Sequence, residues 1–582
     1  MNPYQWVWQY ARHSRWQIIL ASLLITVNAL GVVAVPLLGG IIVDVVINQR
    51  HLNLLLPLLA GMVGITLIRT VMRYCYIILW ERVCQNSLYD IRHDLFTKLQ
   101  SLDYPFFNSV TNGDIMARLT GDTDAIRHFL CWVTYNTAEC VLWFLTAVIV
   151  MGWLNWQLML ALIILTPIIA WLTTRMSTEA HTVFFDIRQS FAHLNAMVEE
   201  NISGNRIVRA FAREDYEIEK FQQLNHDYKE KNMASAAVSR RYLPTLDFLA
   251  SLLSVIVLLL GSILVINHQM SLGQLVSFNG FLWMLNQPMR MSGWLINDIQ
   301  RFSAATIKIR SMLNTQPTII TTKSQQVVPI RGAVQFQHVD FAFPDTPQVN
   351  ALLDINFTVE PGQTLGILGE TGSGKTTLMN LIARFYDPTN GRILIDGRDI
   401  QQWSAQDLRN QITIVTQDLF LFSDTITDNI NYGNHDASIP FIREMAAIAD
   451  ANNFIDQMPD GYDTVVGERG VGLSGGQKQR ISLTRALVKD PRILILDDTT
   501  SALDMETEAT IQQRLKAITK NKTVFIIASR ISSLRHADHI IVLRHGEIIE
   551  QGNHESLLAQ NGYYAETYRR QLGLIKDAKG DE

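Results

Sequence analysis

Six long apolar stretches crowd the first half of this 582-residue chain, and the last of them stops near Ile299. A helix needs about 20 apolar residues to cross the hydrocarbon core of a bilayer. The stretches are Trp16 to Ile47, Leu54 to Trp80, Val133 to Trp153, Leu158 to Leu172, Tyr242 to Ile266 and Leu272 to Ile296. The pattern predicts six membrane-spanning helices, the fourth being the shortest, and it accounts for 48% hydrophobic and only 18% charged residues.

Positive charge between the spans predicts their orientation, because arginine and lysine accumulate on the cytoplasmic side. The connections after the second and fourth spans include Arg82, Arg92, Lys98, Arg118 and Arg127, and Arg206, Arg209, Arg213, Lys220, Arg240 and Arg241. The opposite connections, INQRHLN, LNWQ and INHQMS, carry only Arg50 as a full positive charge. We therefore expect a multi-pass protein of a bacterial plasma (inner) membrane, with the N-terminus and the second half of the chain in the cytoplasm.

Beyond the spans, short β-branched strands alternate with helical patterns and glycine-rich turns. This alternation predicts an α/β domain. The polar segment PTIITTKSQQVVP, bracketed by Pro317 and Pro329, predicts a linker. We expect a membrane domain over residues 1–310, a linker over 311–332, the α/β domain over 333–570 and a polar tail over 571–582. A net charge of −5 without a basic run argues against nucleic acid as a partner.

The clearest motif of the second half lies between an apolar strand, TLGIL, and an apolar helix that begins at Thr377. It consists of Gly369, Glu370, Thr371, Gly372, Ser373, Gly374, Lys375 and Thr376, which is GxxxxGK[ST] between a strand and a helix. Backbone N–H groups of such a loop surround phosphate oxygens, Lys375 would neutralise the β- and γ-phosphates, and Thr376 would bind Mg²⁺. A bare glycine turn is the alternative, and the motifs that follow argue against it.

Farther along the chain, the strand ILIL ends at two acidic residues. Asp497 is placed to hold the metal through water, and Asp498 stands at the position suited to polarise the attacking water. Between the motifs lies VGLSGGQKQR, in which a glycine pair after Ser474 opens a helix and could present donors to a phosphate. Because this chain's own phosphate loop already has Lys375, the natural target of Ser474 is a γ-phosphate held by a second copy of the fold.

These motifs, in this order, resemble the ATP-binding cassette exporters, and the resemblance covers nearly the whole chain. It implies an all-α transmembrane domain of six helices followed by an α/β P-loop nucleotide-binding domain, with ATP and Mg²⁺ as cofactors. In that family two cassettes dimerise head to tail, and each ATP lies between one phosphate loop and the opposite signature segment. The implied partner is therefore a second half-transporter, beside membrane lipid and a hydrophobic or amphiphilic substrate.

The resemblance also assigns roles to individual residues. Phe343 matches the aromatic that stacks on adenine, and Gln417 matches the glutamine that senses Mg²⁺ and the membrane domain. The signature corresponds to Ser474, Gly475, Gly476 and Gln477, the segment touching the cytoplasmic loops to Gly467 through Gly470, and the loop at the dimer interface to Ser501 through Asp504. Phe106 and Phe107 with Gly113 and Arg118, and Gly204 to Phe211, are similar to loops that bear coupling helices; a solvated helical hairpin is the alternative.

Two residues depart from the family pattern. Asp498 stands where the family has glutamate, and Ser529 stands where it has a histidine that touches the γ-phosphate. Shortening a carboxylate by one methylene pulls it back by roughly 1 Å, and misplacement of that size can lower a rate by about 10²-fold. The signature is intact, so we hypothesise a heterodimer with one impaired site on this chain's phosphate loop. A tolerated, still adequate variant is the alternative, and a homodimer remains open.

The transported substrate is less constrained by the sequence. The spans contain Arg69, Arg73, Glu139, Asp247, Asn279, Asn286 and Arg290, with Met284, Met289 and Met291 nearby. Intramembrane charges usually face a cavity, although packing and solvation explain such residues as well. The resemblance favours export of amphiphilic drugs or lipids. The alternatives are a lipid or peptide translocator driven by the same kind of ATP-binding domain and a non-transporting, nucleotide-gated membrane regulator.

Overall fold

The computed structural model describes residues 2–319, 328–499 and 504–572. The chain divides into two units: residues 1–100 with 112–315, and residues 101–111 with 316–582. Three expectations fall partly or wholly outside the described residues: the middle of the linker (320–327), most of the polar tail (573–582) and residues 501–503 of the expected interface loop.

The described residues of the first unit form helices joined by short turns and loops. Its helices are α1 (Pro3–Ala11), α2 (Arg15–Gly31), α3 (Ala34–Ile41), α4 (Leu55–Ser101), α6 (Asn112–Ala117), α7 (Thr123–His128), α8 (Thr134–Leu154), α9 (Trp156–Ile163), α10 (Thr166–Ser203), α11 (Asn205–Ala210), α12 (Glu214–Ile266) and α13 (Leu272–Asn314), while α5 (Tyr104–Ser109) belongs to the second unit. Several of these helices continue into one another through short 3₁₀ or π-helical turns.

Five helical stretches among the described residues are long and apolar enough to cross a membrane. They are Pro3–Asn48, Leu52–Ser101, Asn112–Leu154, Trp156–Ser203 and Glu214–Ile266. They contain the first five predicted spans, including the short fourth one. The sixth predicted span lies in α13, a helix of 43 residues whose Phe278, Phe281 and Met284 are completely buried. Packing in the helical core therefore explains Met284 better than a position facing a substrate cavity.

A close crossing of α3 and α13 joins the beginning and the end of this unit. A Cβ atom on Gly40 would lie 2.4 Å from the carbonyl oxygen of Gly273, and one on Gly273 would lie 2.1 Å from that of Gly40. Small residues that let backbones approach are typical of packed membrane helices. Asp44 caps the start of α13, where it accepts from the Ser271 hydroxyl at 2.5 Å and from the Gly273 N–H at 2.7 Å.

The outer surface of the first unit is rich in large apolar side chains. Ile19, Leu67, Ile149 and Leu259 are more than half exposed. A water-soluble protein rarely exposes so much contiguous apolar surface, whereas lipid tails match it. Glu139, by contrast, is buried and accepts a hydrogen bond from the hydroxyl of Tyr76, so this intramembrane carboxylate faces the protein interior.

The described residues of the second unit form two β-sheets. A four-stranded antiparallel sheet has the order β2–β1–β4–β5, and a six-stranded sheet has the order β10–β9–β3–β8–β7–β6. The strands are β1 (Val334–Ala342), β2 (Asn350–Val359), β3 (Thr364–Gly369), β4 (Asn390–Ile395), β5 (Arg398–Asp399), β6 (Ile412–Val415), β7 (Ile493–Asp497), β8 (Thr523–Ile527), β9 (His539–Arg544) and β10 (Glu547–Gly552). In the larger sheet only the β9–β10 pair is antiparallel.

Helices cover these sheets and form a separate helical core. They are α14 (Lys375–Ile382), α15 (Ala405–Gln411), α16 (Ile426–Asn431), α17 (Ile439–Ile448), α18 (Asn452–Asp456), α19 (Gly475–Val488), α20 (Met505–Ile518), α21 (His554–Ala559) and α22 (Tyr563–Gln571). One apolar core packs between the two sheets and α14. A second core surrounds α16, α17 and α19, so the phosphate loop and the signature segment stand on different supports.

The short helix α5 brings the expected coupling residues Phe106 and Phe107 into the second unit. The ring of Tyr104 stacks on Phe385 with centroids 5.2 Å apart, and the Asn108 side-chain amide donates to the Tyr386 hydroxyl at 2.7 Å. The carboxylate of Asp103 accepts from the backbone N–H of Ile319 at 3.2 Å. Gly113 and Arg118 lie in the first unit, as does the second expected coupling segment, around α11.

Candidate nucleotide site

The phosphate loop connects β3 to α14, and its glycines are required by geometry. Gly374 has φ +100° and Gly372 has φ +83°, both in the left-handed region that favours glycine. A Cβ atom on Gly374 would lie 2.6 Å from a Leu352 methyl carbon and 2.9 Å from the carbonyl oxygen of Ala351. The backbone of the loop therefore packs directly on β2, which leaves its opposite face for a ligand.

Lys375 bends back over this loop. Its ammonium group donates to the carbonyl oxygens of Gly369 at 2.9 Å and Glu370 at 2.7 Å. Burial lowers the pKa of Lys375, while the nearby Asp497 and Asp498 carboxylates oppose that shift. The Ser373 hydroxyl is buried and has no hydrogen-bond partner in the described part of the chain. A cation, an unused hydroxyl and a glycine-lined loop fit the phosphates of a nucleotide.

The candidate metal-binding pair, Thr376 and Asp497, lies beside the loop. The Thr376 hydroxyl donates to a carboxylate oxygen of Asp497 at 3.3 Å. Asp497 is 5% exposed, and burial raises its pKa above the ordinary range, while the bond from Thr376 and the charge of Lys375 act in the opposite direction. Oxygen ligands of this kind suit Mg²⁺, which binds proteins through one or two such groups and keeps several waters.

The larger sheet places the remaining candidates at one edge. Strands β3, β8, β7 and β6 are neighbours and run parallel, so their carboxyl ends meet on the same side. Gln417 follows β6 by two residues and Ser529 follows β8 by two residues, and both are exposed. The carboxyl edge of a parallel sheet is the usual place for a ligand in α/β folds. The structure thus brings Gly369, Asp497, Ser529 and Gln417 to one edge.

Asp498 follows β7 in a constrained backbone conformation. Its φ is +48°, and its N–H donates to the carbonyl oxygen of Ile527 at 2.9 Å. Burial raises the pKa of the Asp498 carboxyl, the charges of Arg530 and Lys375 lower it, and Glu508 raises it. Sequence reasoning missed Arg530 and Glu508, because no spacing rule connects them to Asp498 before the chain folds.

Phe343 lies just after β1 in an aromatic cluster. It makes edge-to-face contacts with Phe341 and Tyr386, with centroids 5.0 and 5.5 Å apart. Phe343 is partly buried and packs against the same apolar core as α14, which begins at the phosphate loop. Within the loop and helix, Thr371 is exposed and Thr377 is 9% exposed, so Thr377 is held in the protein interior.

The signature segment forms the start of α19. The Ser474 hydroxyl accepts from the Gln477 N–H at 3.3 Å, and the Ser474 N–H donates to the Gln477 side chain at 2.9 Å. This capping box fixes the first turn of the helix. Ser474 and Gly475 are exposed, and the preceding Gly472 has φ +100°. Of the expected interface loop, Asp504 caps α20 by accepting from the N–H of Thr507 at 3.0 Å.

Comparison with known proteins places these features in context. Residues 18–289 match the family model of the ABC transporter transmembrane region, and residues 352–501 match the ABC transporter family model. The probable multidrug resistance ABC transporter ATP-binding/permease protein YheI of Bacillus subtilis is 39% identical over 83% of this chain and 82% of its own length. An ATP-dependent lipid A-core flippase of Syntrophus aciditrophicus is 34% identical over 95% of this chain and 91% of its own.

A solved structure gives the same relationship in three dimensions. It is described as a bacterial Atm1-family ABC exporter with ATP bound, and it superposes with a TM-score of 0.81 at 29% sequence identity. The match covers 97% of this chain and 99% of that one. The likeness therefore extends over the helical first half as well as the α/β second half.

Proposed function

The chain belongs to the ABC transporter family, and on that premise we propose that it is one subunit of a heterodimeric ATP-driven exporter. The comparisons confirm the predicted fold class, a helical transmembrane domain followed by an α/β nucleotide-binding domain, in a half-transporter of the exporter type. It is a multi-pass membrane protein, and its family implies ATP-driven translocation. The proposal adds that the two ATP sites of the dimer hydrolyse ATP at different rates.

The observation that carries the proposal is the contrast between Asp498 and Ser529 on one side and Ser474 on the other. The phosphate loop, Lys375, Thr376 and Asp497 supply what ATP and Mg²⁺ need for binding. Hydrolysis needs more, because water must be oriented and the γ-phosphate charge stabilised. A carboxylate shortened by roughly 1 Å can lower the rate by about 10²-fold, and loss of one charge-stabilising donor by about 10²- to 10³-fold.

The intact signature supports the proposal that this chain completes a hydrolytic site on its partner. The capped first turn at Ser474 presents exposed donors on a core separate from the one beneath the phosphate loop. Such a segment is suited to complete the site of another subunit. The side chains of Ile207 and Phe211, at 65% and 74% exposure, also suit a partner surface at the second expected coupling segment. In this arrangement ATP bound by this chain is held, and ATP bound by the partner is turned over.

The substrate class is proposed from the relatives and the membrane half. One relative is named for multidrug resistance and another for flipping lipid A-core, and both activities concern amphiphilic molecules. We propose export of amphiphilic drugs or lipids from the cytoplasm or the inner leaflet of a bacterial plasma membrane, with the N-terminus and the ATP-binding domain inside. The domain boundaries at residues 310, 332 and 570 and the roles of the site residues given above are part of the same proposal.

The test compares the purified chain with the chain co-purified with a second half-transporter. We expect weak ATPase activity alone and about 10²-fold more with the partner. Asp498→Glu combined with Ser529→His should raise turnover at this chain's own site, since the exposed position 529 leaves room for an imidazole. Robust, cooperative ATPase from the chain alone would contradict the heterodimer. Unchanged turnover in the double variant would contradict the cause assigned to it.

Vesicle transport separates the proposal from its alternatives. Partner-dependent, ATP-dependent movement of a fluorescent amphiphile or a labelled phospholipid supports an exporter, and the two probes distinguish drugs from lipids. A peptide as the only transported probe would favour the peptide translocator. ATP-dependent conformational change without transport of any probe would favour the nucleotide-gated regulator.

A further inference from the structure

The last helix of the described chain, α22, is held against the nucleotide site by its own capping and packing. Its first N–H groups, at Tyr563 and Tyr564, donate to the carboxylate of Glu550. The ring of Tyr564 is completely buried, and its hydroxyl lies 2.7 Å from Nδ1 of His554. Because N–H groups at a helix start need acceptors, Glu550 both caps α22 and fixes its direction.

The core beneath α22 is the base of the nucleotide site. Tyr564 packs in one cluster with Leu368, the second-to-last residue of β3. The same cluster includes Ala528, which precedes Ser529, and Ile531, which lies two residues after it. The four side chains are 2% exposed or less. A well-packed interior transmits small displacements, since it has little free volume to absorb them. A shift of α22 therefore reaches the segment that carries Ser529.

Gln571 adds a direct polar bond at the end of the helix. Its side-chain Nε2 donates to the carbonyl oxygen of Ser529 at 2.8 Å, and its Oε1 accepts from the N–H of Ile531 at 2.9 Å. One amide thus bonds two backbone groups, in the way that a neighbouring strand would. Ile531 begins a 3₁₀ turn whose cap residue, Arg530, makes no side-chain cap bond, so Gln571 satisfies an N–H that the turn leaves open.

The other end of α22 contacts the phosphate loop. The Tyr563 hydroxyl donates to a carboxylate oxygen of Glu370 at 3.0 Å. Glu370 also supplies one of the two carbonyl oxygens that hold Lys375. The segment after β3 and the segment after β8, both proposed to face the γ-phosphate, are therefore bonded to one nine-residue helix.

We propose that Gln571 is a positioning residue for ATP hydrolysis, which holds the main chain at Ser529 in the place from which side chain 529 faces the γ-phosphate. The residue does not touch nucleotide; it acts through the backbone at 529 and 531. The inference rests on the proposed role of side chain 529 at the γ-phosphate, and it does not depend on whether the exporter has two unequal sites or two equal ones.

The experiment uses Gln571→Met, which keeps the length of the side chain and removes both hydrogen bonds. The control is Arg570→Ala on the same helix, because among the described residues Arg570 pairs with Glu566, one turn away at 2.5 Å. Both variants are made in a Ser474→Ala chain, with and without Asp498→Glu and Ser529→His, and each is purified with its partner. Ser474→Ala suppresses turnover at the partner's site, so the measured turnover comes from this chain's own site. The readouts are kcat and KM for ATP, amide exchange at Ile531 and the unfolding midpoint.

In the double-variant background we expect Gln571→Met to lower kcat about 10-fold with KM for ATP changed less than about twofold. Hydrogen exchange at the Ile531 amide should be faster in Gln571→Met, and the unfolding midpoint of Gln571→Met should equal that of Arg570→Ala. Unchanged kcat would overturn the proposal, as would a joint fall in kcat, ATP affinity and midpoint, which would mark a purely structural role. If Asp498→Glu with Ser529→His gains no turnover, the impaired-site proposal fails, and Gln571 is judged on kcat in the Ser474→Ala chain that keeps Asp498 and Ser529.

Discussion

At the scale of single residues, the nucleotide site is a set of buried charges arranged for a ligand. Asp497 and Lys375 are both shifted toward their neutral forms by burial. Charges buried without full compensation are costly to the folded protein. Mg²⁺ and phosphate would supply the missing partners, so the site is a place where binding and stability are linked.

This linkage predicts the effect of Asp497→Asn. The raised pKa of Asp497 means that ionisation destabilises the nucleotide-free fold above that pKa, and that the cost disappears below the unfolded value of about 3.9. The variant should therefore unfold at a higher temperature than the wild type at pH 7, and the difference should shrink as the pH falls toward 4. Calorimetry without nucleotide measures it, and a less stable variant at pH 7 would contradict it.

The proposed asymmetry predicts unequal effects of two alanine variants in the complex. Ser474→Ala should lower ATP turnover and transport about 10²-fold, because it removes a donor from the competent site. Asp498→Ala should change turnover less than about twofold, because its site already contributes little. A capping serine also stabilises its helix by about 1 kcal/mol, so unfolding midpoints are compared alongside. Equal losses in the two variants would show that both sites hydrolyse.

At the scale of elements, the membrane unit depends on close approach between α3 and α13. Gly40 has a Ser277 hydroxyl and the Gly273 carbonyl within 2.4 Å of the position where a Cβ would stand, whereas nothing lies within 4 Å of that position on the adjacent Gly39. Gly40→Ala should therefore destabilise the protein by about 1–3 kcal/mol, and Gly39→Ala should be close to neutral. Unfolding of the two variants in detergent checks this, and similar midpoints would contradict the crossing.

The same scale separates what could be predicted from the sequence from what could not. The phosphate loop, the strand ending at Asp497 and the cap at Ser474 follow local rules of spacing, so the sequence is enough to predict them. The contact of Tyr104 with Phe385 joins residues far apart in the chain, and apolar residues in a loop do not specify their partner. Gln571 is one glutamine near a polar tail, and only the folded structure places it against Ser529.

At the scale of the whole molecule, five apolar helical stretches and α13 form the membrane half, and the second half contains the candidate nucleotide site. The number of spans was predictable because the hydrocarbon core fixes the length of an apolar helix. The pairing with a partner was predictable only as a hypothesis, since the signature segment is proposed to act on a site of another subunit. The proposed asymmetry therefore belongs to the assembled transporter.

The chain order and the compact units do not coincide, because residues 101–111 belong with the cassette that begins some two hundred residues later. An ATP-binding fragment cut at the linker would lose Tyr104 and Asn108 and leave the aromatic faces of Phe385 and Tyr386 open to solvent. Such exposed rings favour self-association. Enzymology on the severed cassette would thus report on a surface that the intact polypeptide covers with its own Tyr104 and Asn108 side chains, and aggregation there would be a product of truncation.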